Sequence, residues 1–318
     1  RPLVRESVIG QQVQFTVSAW TEDHDVVLAT VLEKFGDSTL IVRSSALNED
    51  GWENSNAGGF TTVSAVPGND QQRLAQAVDE VINSYGEENP DHQVLVQTML
   101  HDVSVHGVAL TRTLSQGAPY YTFNYDDSTG LTDTVTSGKG DNLRTVLVHR
   151  DHGEMLPCVD PQLSPIMKAI AELEHLLRHD SLDVEFAVTA DGIVHVLQVR
   201  CIVGDSNQTR IDDPVVSQAL AVAAESFRSR QMPAPGVVGQ RTIFGVMPDW
   251  NPAEIIGAKP RRLALSLYQY LITDDIWARQ RAEYGYRDVR PHRLMSIFAE
   301  LPYVDVRASF NSFIPASI

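Results

Sequence analysis

Four polar side chains suited to binding metal and phosphate occur between residues 183 and 200. Asp183 and Glu185 alternate with apolar residues, and Gln198 and Arg200 flank Val199. Alternation within a strand places every second side chain on one face. Two carboxylates, an amide and a guanidinium on facing strands are costly unless something lies between them. Carboxylate and amide oxygens suit a hard cation and arginine suits phosphate oxygens, so the pattern predicts a site for a magnesium-bound polyphosphate.

The same stretch predicts the element that positions these side chains. Residues 183–188 and 193–200 are rich in β-forming residues, and Asp191-Gly192 between them is a strong hairpin signal. An alternative interpretation is a half-exposed hairpin with a surface ion pair, and the pattern by itself leaves both open.

A second candidate site is the sequence Val42-Arg43-Ser44-Ser45-Ala46, with Ala57-Gly58-Gly59 a little farther along. An arginine that leaves a strand beside small hydroxyls, followed by a Gly-Gly loop, lets backbone amides approach phosphate groups. A flexible surface turn has the same composition, so this signal is weak in isolation.

Two further stretches supply groups that a nucleotide site needs. Strand 94–97, ending in Gln97, could present backbone groups to an adenine edge with Met99 against its face, although an ordinary core strand has the same pattern. The segment 107–112, with Thr111, and Lys139 in Ser137-Gly138-Lys139-Gly140 would add cations and a hydroxyl near phosphate. Surface cations are usually only solvated.

The elements around these residues alternate irregularly between strand and helix. Helices are predicted over 23–35, over 71–85 with Asp70 as the cap, and over 214–229. Another helix is predicted to begin at Ser164-Pro165, with Ser164 as its cap. The residues of this helix that are predicted to be buried are Ile166, Ile170, Leu173, Leu176 and Leu177. Strands are predicted over 11–20, 39–43, 94–97, 105–113, 120–125, 133–137 and 145–150. This order predicts an α+β fold and not a regular Rossmann alternation.

Composition limits the possible functions. The chain has 318 residues, a net charge of -16 and two cysteines outside any Cys-x-x-Cys pair. A nucleic-acid partner and a metal or disulfide framework are therefore not expected, and a reducing, cytoplasmic setting fits. No apolar run reaches the roughly 18 residues of a membrane span. The chain opens on Arg1 and not on Met, and we expect both ends to be cut from a longer protein.

Taken together, the order of these motifs resembles the nucleotide-binding domain of the phosphoenolpyruvate synthase and pyruvate phosphate dikinase family, across residues 38–203. The resemblance rests on residues 42–46 with Glu49-Asp50, Ala57-Gly58, 94–97, Gly107-Val108 with Thr111, 183–186 and 197–200. It implies an ATP-grasp fold, with ATP and Mg²⁺ as cofactors. The family's Asp-Pro after the Gly-Val-x-x-Thr strand is replaced by Leu114-Ser115, and no match is found for its N-terminal glycine-and-lysine segment.

The resemblance also implies roles for individual residues. Arg43 and Arg200 would hold the ATP phosphates as catalytic residues, and Glu185 and Gln198 would serve the metal and phosphate. The nucleotide-binding set implied as a whole is Arg43, Ser44, Ala57, Gly58, Gln97, Met99, Thr111, Lys139, Gln198 and Arg200.

The second half resembles the middle region of the L-glutamine kinases, which phosphorylate the glutamine amide nitrogen for capsule phosphoramidate. The matching stretches are 244–257, 263–268 and 302–313. Carboxylates can hold an ammonium and arginine can clamp a carboxylate, so an acceptor site is predicted at Asp249, Asn251, Glu254, Arg307 and Asn311. Caps and turns use the same residue types, so the alternative is purely structural.

The function implied is that of an ATP-dependent phosphotransferase of the dikinase type, with glutamine as the favoured acceptor. The expected domains are an ATP-grasp domain over 1–204 and part of a smaller mixed α/β middle domain over 205–318. The carrier histidine would lie on a further domain absent from this chain, so the chain would be inactive alone.

Three alternatives stay open: a phosphoenolpyruvate synthase-like enzyme, a rifampin phosphotransferase-like enzyme and a non-catalytic ATP-binding module. Residues 240–318 are predicted to be too polar for the large apolar pocket that the rifampin enzymes use in their middle domain.

Overall fold

The structure of the chain is a computed structural model, which describes residues 3–47, 59–86, 89–128, 143–155, 160–202, 210–246 and 252–318. The chain divides into two compact units, Arg1–Asp212 and Asp213–Ile318. Helices and antiparallel sheets alternate irregularly along it, so the predicted α+β class is confirmed. Within the described part of the chain, no helix is both long and apolar enough to cross a membrane.

The first unit begins with a four-stranded antiparallel sheet whose order is β1-β4-β2-β3. Its strands are β1 (Gln12–Thr16), β2 (Thr39–Ser45), β3 (Thr62–Pro67) and β4 (Gln93–Thr98). Helices α1 (Val17–Glu22), α2 (His24–Phe35) and α3 (Gln71–Asn83) accompany them, and the apolar stripes of α2 and α3 pack with the buried side chains of the strands in one core. As predicted, Asp70 caps α3 by accepting a hydrogen bond from the amide of Arg73.

Alternation gives this sheet one apolar and one polar face. Leu40 and Val42 on β2, and Val94 and Val96 on β4, are buried in the core. Arg43 therefore lies on the opposite face, as do the other odd-numbered residues of these two strands. This polar face of the four-stranded sheet is turned away from the core formed with α2 and α3, so its side chains can contact the rest of the first unit.

The second sheet of this unit has five antiparallel strands in the order β7-β6-β5-β8-β9. They are β5 (Val103–Leu110), β6 (Tyr120–Asp126), β7 (Arg144–His149), β8 (Leu182–Thr189) and β9 (Val194–Cys201). Helix α4 (Ser164–Leu177) covers one face, where Ile166 and Ile170 pack with Phe186 of β8. The other face of β8 and β9 carries the polar residues that the sequence singled out.

The hairpin prediction is confirmed. Strands β8 and β9 pair antiparallel, and Gly192 in the connecting turn has φ +83°, a conformation that glycine adopts without strain. Asp183 lies opposite Arg200 and Glu185 lies opposite Gln198. A register irregularity follows directly after Glu185, and the ladder then continues with Phe186 opposite Val196.

The second unit contains a small three-stranded sheet, β10-β12-β11, surrounded by helices. Its elements are α5 (Asp213–Gln231), β10 (Phe244–Gly245), α6 (Pro252–Ile256), α7 (Arg262–Tyr268), a π-helical turn (Gln269–Thr273), α8 (Ile276–Glu283), β11 (Met295–Phe298), β12 (Leu301–Asp305) and α9 (Val306–Asn311). Trp277, Leu294 and Val304 are among the buried residues of its core.

Several predicted boundaries and faces are wrong for local reasons. Val17 starts a helix, because Thr16 caps it by accepting a hydrogen bond from the amide of Ala19. Ser164 is not a cap: the 3₁₀ turn Pro161–Leu163 runs directly into α4, so Ser164 is already helical. Leu176 and Leu177 are 37% and 51% exposed, because the helix ends there and the following turn does not cover them.

The strand Thr62–Pro67 was not predicted, because its Thr and Ser residues are also typical of loops. The strand predicted over 133–137 lies outside the described residues.

Candidate functional site

Four of the predicted side chains meet between the two sheets of the first unit. Arg43, on the four-stranded sheet, donates through Nη2 to Glu185 Oε2 at 3.3 Å and to Gln198 Oε1 at 2.9 Å. Arg200 donates through Nη2 to Glu185 Oε1 at 2.6 Å and to Gln198 Oε1 at 3.1 Å. We call Arg43, Glu185, Gln198 and Arg200 the arginine cluster.

The arginine cluster follows from the strand registers. Glu185 and Gln198 are directly opposite each other on β8 and β9, and Arg200 is two residues farther along on the same face. Arg43 comes from β2, whose alternation directs it away from the α2 and α3 core. The cluster therefore joins the polar faces of the two sheets.

Burial makes these contacts strong. The side chains of Glu185 and Arg200 are 10% exposed and that of Arg43 is 20% exposed. Charge-assisted hydrogen bonds are about twice as strong as neutral ones, and low solvent access limits their screening. Two guanidinium groups share the carboxylate of Glu185, and Asp183 lies opposite Arg200 on the facing strand. The cluster thus gathers two arginines at one place in a protein of net charge -16.

The five-stranded sheet adds a polar residue that the sequence reasoning missed. Val108 on β5 pairs with Glu185 on one side and with Asn124 on the other, so Asn124, Glu185 and Gln198 lie in one row across the sheet. Thr145 donates to Asn124 Oδ1 at 2.8 Å. The alternation of polar and aromatic residues in 120–126 is the signal that could have identified Asn124.

The remaining predicted nucleotide residues of the described chain lie along the edges of this region. Ser44 follows Arg43 on β2 and is half-buried, and by alternation it lies on the face opposite to Arg43. Gln97 on β4 pairs with Ile41, which places it on the same face as Arg43. Met99 is half-buried beyond the end of β4, and its amide donates to the carbonyl of Thr39.

Thr111 and its neighbour Arg112 hold the fold together. The Thr111 hydroxyl donates to the Asp180 carbonyl and accepts from the Leu182 amide. Arg112 is 2% exposed and donates to the Asp180 carboxylate and to the Gly117 carbonyl. The expectation that this segment supplies a cation for phosphate is therefore wrong for Arg112, because its guanidinium is buried against a structural carboxylate.

Several predicted residues cannot be placed, and others have partners in the second unit. Ala57, Gly58, Lys139, Asp249 and Asn251 lie outside the described residues. Glu254 is exposed on α6. Arg307 donates to the carbonyls of residues 230, 232 and 239, and the buried Asn311 bonds to both backbone groups of residue 238. Asn311 Nδ2 also donates to the backbone carbonyl of Arg307 at 2.9 Å, but no hydrogen bond among the described residues joins either of them to Glu254.

The chemistry of the arginine cluster fits a nucleotide with a magnesium ion. Glu185 and Gln198 supply hard oxygen donors, and Arg43 and Arg200 supply planar donors that match phosphate oxygens. No group of three or more His, Cys, Asp or Glu side chains suited to a metal occurs in the described ranges. A magnesium ion bound here would take most of its ligands from phosphate and water, which is its usual mode in nucleotide sites.

Two cavities lie away from the arginine cluster. One, of about 690 Å³, is lined by residues of α1 and by residues 82–90 and includes no member of the cluster. The other, of about 730 Å³, lies in the second unit and is lined mainly by apolar side chains. Polar and apolar residues both line this cavity, and the expectation that residues 240–318 are too polar for a large apolar pocket of the rifampin type stays a prediction.

No protein-family model matches the chain, and no curated protein matches it. The chain is similar to solved structures of the D-alanine-D-alanine ligase from Coxiella burnetii (15% identity, TM-score 0.34), a RiPP-associated ATP-grasp ligase from Chryseobacterium gregarium (11%, 0.33) and a RimK domain ATP-grasp protein from Sphaerobacter thermophilus (14%, 0.32). These matches cover 62%, 63% and 64% of this chain, and 44%, 48% and 56% of the respective structures, so the chain spans about half of their length.

Proposed function

We propose that the first unit binds ATP with magnesium between its two sheets, as in an ATP-grasp fold, and that the chain is part of an ATP-dependent enzyme. The observation that carries this proposal is the arginine cluster. It brings two guanidinium groups, a carboxylate and an amide from two sheets into one hydrogen-bonded group. Both arginines donate to the same carboxylate and to the same amide oxygen, so donors suited to phosphate lie beside oxygens suited to a metal.

The proposed division of roles follows from the donor types. Arg43 and Arg200 would bind phosphate oxygens, since arginine can donate two parallel hydrogen bonds to them. Glu185 and Gln198 would bind the metal, whose chemistry is to neutralise and orient the phosphates. Gln97 and Met99 would line the nucleotide on the side of the four-stranded sheet. The solved structures to which the chain is similar include a ligase in complex with ADP, which is consistent with this proposal.

The finer proposal is a phosphotransferase of the dikinase type with glutamine as acceptor. It rests on the resemblance of residues 38–203 and of the later stretches to the dikinase and glutamine kinase families. A histidine on a further domain would first take the β,γ-pyrophosphoryl group from ATP, which releases AMP. Water would then remove the terminal phosphate, and the phosphoryl group left on the histidine would pass to the glutamine amide nitrogen. The overall balance is ATP, glutamine and water giving phosphorylated glutamine, AMP and phosphate.

Nucleotide binding tests the proposal directly. Arg200→Ala or Arg43→Ala is expected to remove one or two charge-assisted contacts, worth roughly 2–4 kcal/mol, and so to weaken Mg–ATP binding about 30- to 1000-fold. Calorimetric titration measures this change. Arg73→Ala is the matched control, since Arg73 is a more exposed arginine of the same unit paired only with Glu80. Unchanged affinity in both cluster variants would overturn the phosphate assignment.

Product analysis separates the finer proposal from its alternatives. A dikinase-type enzyme forms AMP and phosphate, and glutamine should stimulate their formation when the carrier domain is supplied. Formation of ADP in place of AMP would favour direct ligase or kinase chemistry. Tight Mg–ATP binding without turnover for any tested acceptor would favour a non-catalytic module.

A further inference from the structure

The second unit contains a cavity that none of the roles above uses. It has a volume of about 730 Å³, within the usual range for small-molecule sites. Its lining residues come from the π-helical turn, α8, residue 294 and the end of the chain: Leu271, Ile272, Ile276, Trp277, Gln280, Arg281, Leu294, Ser309, Phe310, Ser312 and Phe313. We call this the α8 cavity.

The walls of the α8 cavity are apolar and partly exposed. Leu271, Ile276, Phe310 and Phe313 are 52%, 47%, 62% and 45% exposed, although they are large and apolar. Isolated exposed apolar residues are ordinary, but a group converging on one concavity indicates a binding site. The π-helical turn that contributes Leu271 is a rare geometry that often marks functional positions.

Two hydrogen-bond donors of the α8 cavity lack acceptors among the described residues. Trp277 is 8% exposed, and its indole Nε1 has no hydrogen-bond partner. Burying such a donor without an acceptor is costly, so natural structures usually supply one. Arg281 lies with its guanidinium 3.9 Å from the centroid of the Phe313 ring, and no carboxylate of the described chain lies within ion-pair distance of it.

The polar lining otherwise offers no negative charge. No lining residue is an Asp or Glu, although the chain as a whole has 41 acidic residues against 25 Lys and Arg. The Ser312 hydroxyl is already bonded to the Ser309 carbonyl. The α8 cavity therefore combines an apolar body, a cation and an unsatisfied N–H donor.

We propose that the α8 cavity binds a small organic anion with an aromatic or aliphatic body. The apolar body would lie against Leu271, Ile276 and Phe310. Its anionic group would accept from Arg281 and from Trp277 Nε1. This site is independent of the nucleotide site, because it uses residues of the second unit only.

Two fluorescent probes that differ only in charge test this proposal. The anion 8-anilino-1-naphthalenesulfonate and its uncharged analogue N-phenyl-1-naphthylamine share the same aromatic body. We expect the 318-residue chain to bind one sulfonate probe per molecule and to bind the uncharged probe about tenfold more weakly, because it lacks the charge-assisted contact. Binding to Trp277 should also quench its emission.

Single variants then locate the site. Arg281→Gln is expected to weaken the sulfonate probe about tenfold and the uncharged probe less than about twofold. Trp277→Phe keeps an aromatic ring without the donor and should weaken only the sulfonate probe, with an unchanged circular dichroism spectrum. Arg279→Gln is the matched control, because Arg279 lies on the same helix but pairs with Asp275.

Three results would overturn the proposal. Equal affinity for the two probes would remove the requirement for an anion. Unchanged sulfonate binding in Arg281→Gln, with Arg279→Gln equally unaffected, would place the probe elsewhere. Probe binding that rises on dilution, together with a concentration-dependent dimer in sedimentation, would make the exposed apolar residues an interface between chains. No nucleotide is present in these titrations, so their outcome does not depend on the ATP proposal.

Discussion

Glu185 is the residue whose replacement tests the arginine cluster most sharply. Its two carboxylate oxygens each accept from a different guanidinium, Oε1 from Arg200 and Oε2 from Arg43. Glu185→Gln keeps the shape and one acceptor oxygen but removes the charge. The replacement removes one negative charge from beside the two guanidinium groups.

This change has opposite effects on metal-free and metal-bound ATP. Without magnesium, the triphosphate no longer meets a nearby carboxylate. At an effective dielectric constant of about 20, two unit charges interact by about 4 kcal/mol at ~4 Å and by about 2 kcal/mol at ~8 Å. A gain of roughly 1–2 kcal/mol is therefore expected for a carboxylate about 8 Å or more from the phosphate charge. With magnesium, the site loses a charged oxygen ligand, and a loss of roughly the same size is expected. The factor by which magnesium improves ATP binding should therefore fall about 30-fold or more.

Calorimetric titration with ATP, once with excess magnesium and once with a chelator, measures this factor. Glu174→Gln is the matched control: Glu174 is also 10% exposed and pairs with Arg150 at 2.7 Å, but it lies on α4. Both variants should lower the free energy of unfolding, because each weakens a mostly buried ion pair. Only Glu185→Gln should change the magnesium factor. The same factor in Glu185→Gln and in the unchanged protein would refute the metal role.

Core packing, charge and histidine chemistry supply three further predictions. Ile170→Ala is expected to lower the free energy of unfolding by about 2–5 kcal/mol, because it leaves a cavity in the core. Leu177→Ala on the same helix should cost less than about 1 kcal/mol. Urea unfolding measures both changes, and equal losses would contradict the packing described. Burial would by itself raise the pKa of Asp180, but hydrogen bonds from two arginines lower this pKa overall. The Asp180 carboxylate therefore stabilises the fold above pH ~4, and this stabilisation is lost as the pH falls through the lowered pKa. Asp180→Asn should therefore cost about 1–2 kcal/mol at neutral pH and less in acid, with the more exposed Asp288→Asn as a control expected to cost under about 0.5 kcal/mol. Labelled ATP should leave no acid-labile phosphate on the ten histidines of this chain, and label mapped to one of them by mass spectrometry would contradict a separate carrier domain.

Local patterns were sufficient where short-range physics dominates. The hairpin with its Asp191-Gly192 turn, the cap of α3 by Asp70 and the end of α2 at Gly36 follow from turn and capping chemistry that acts within a few residues. Alternation also placed Glu185 on one face of its strand, and Gln198 with Arg200 on one face of the next. The register irregularity after Glu185, and not the turn alone, then sets Gln198 opposite Glu185 in place of Leu197. The sequence thus determined the strands and the faces of one half of the candidate site.

The other half required tertiary structure. Arg43 is 142 residues before Glu185, and nothing in the local pattern of either strand specifies that the two sheets place them 3.3 Å apart. The hydrogen-bond partners of Thr111 and Arg112 could not be predicted from the local sequence for the same reason, because these partners come from the segment around Asp180. The α8 cavity was missed because its apolar residues are scattered over 271–313 and each looks unremarkable alone. Strand propensity, turns and caps act over a few residues, so the local sequence predicts them. Contacts between segments distant in the sequence depend on how the helices and sheets pack together, which the local sequence does not specify.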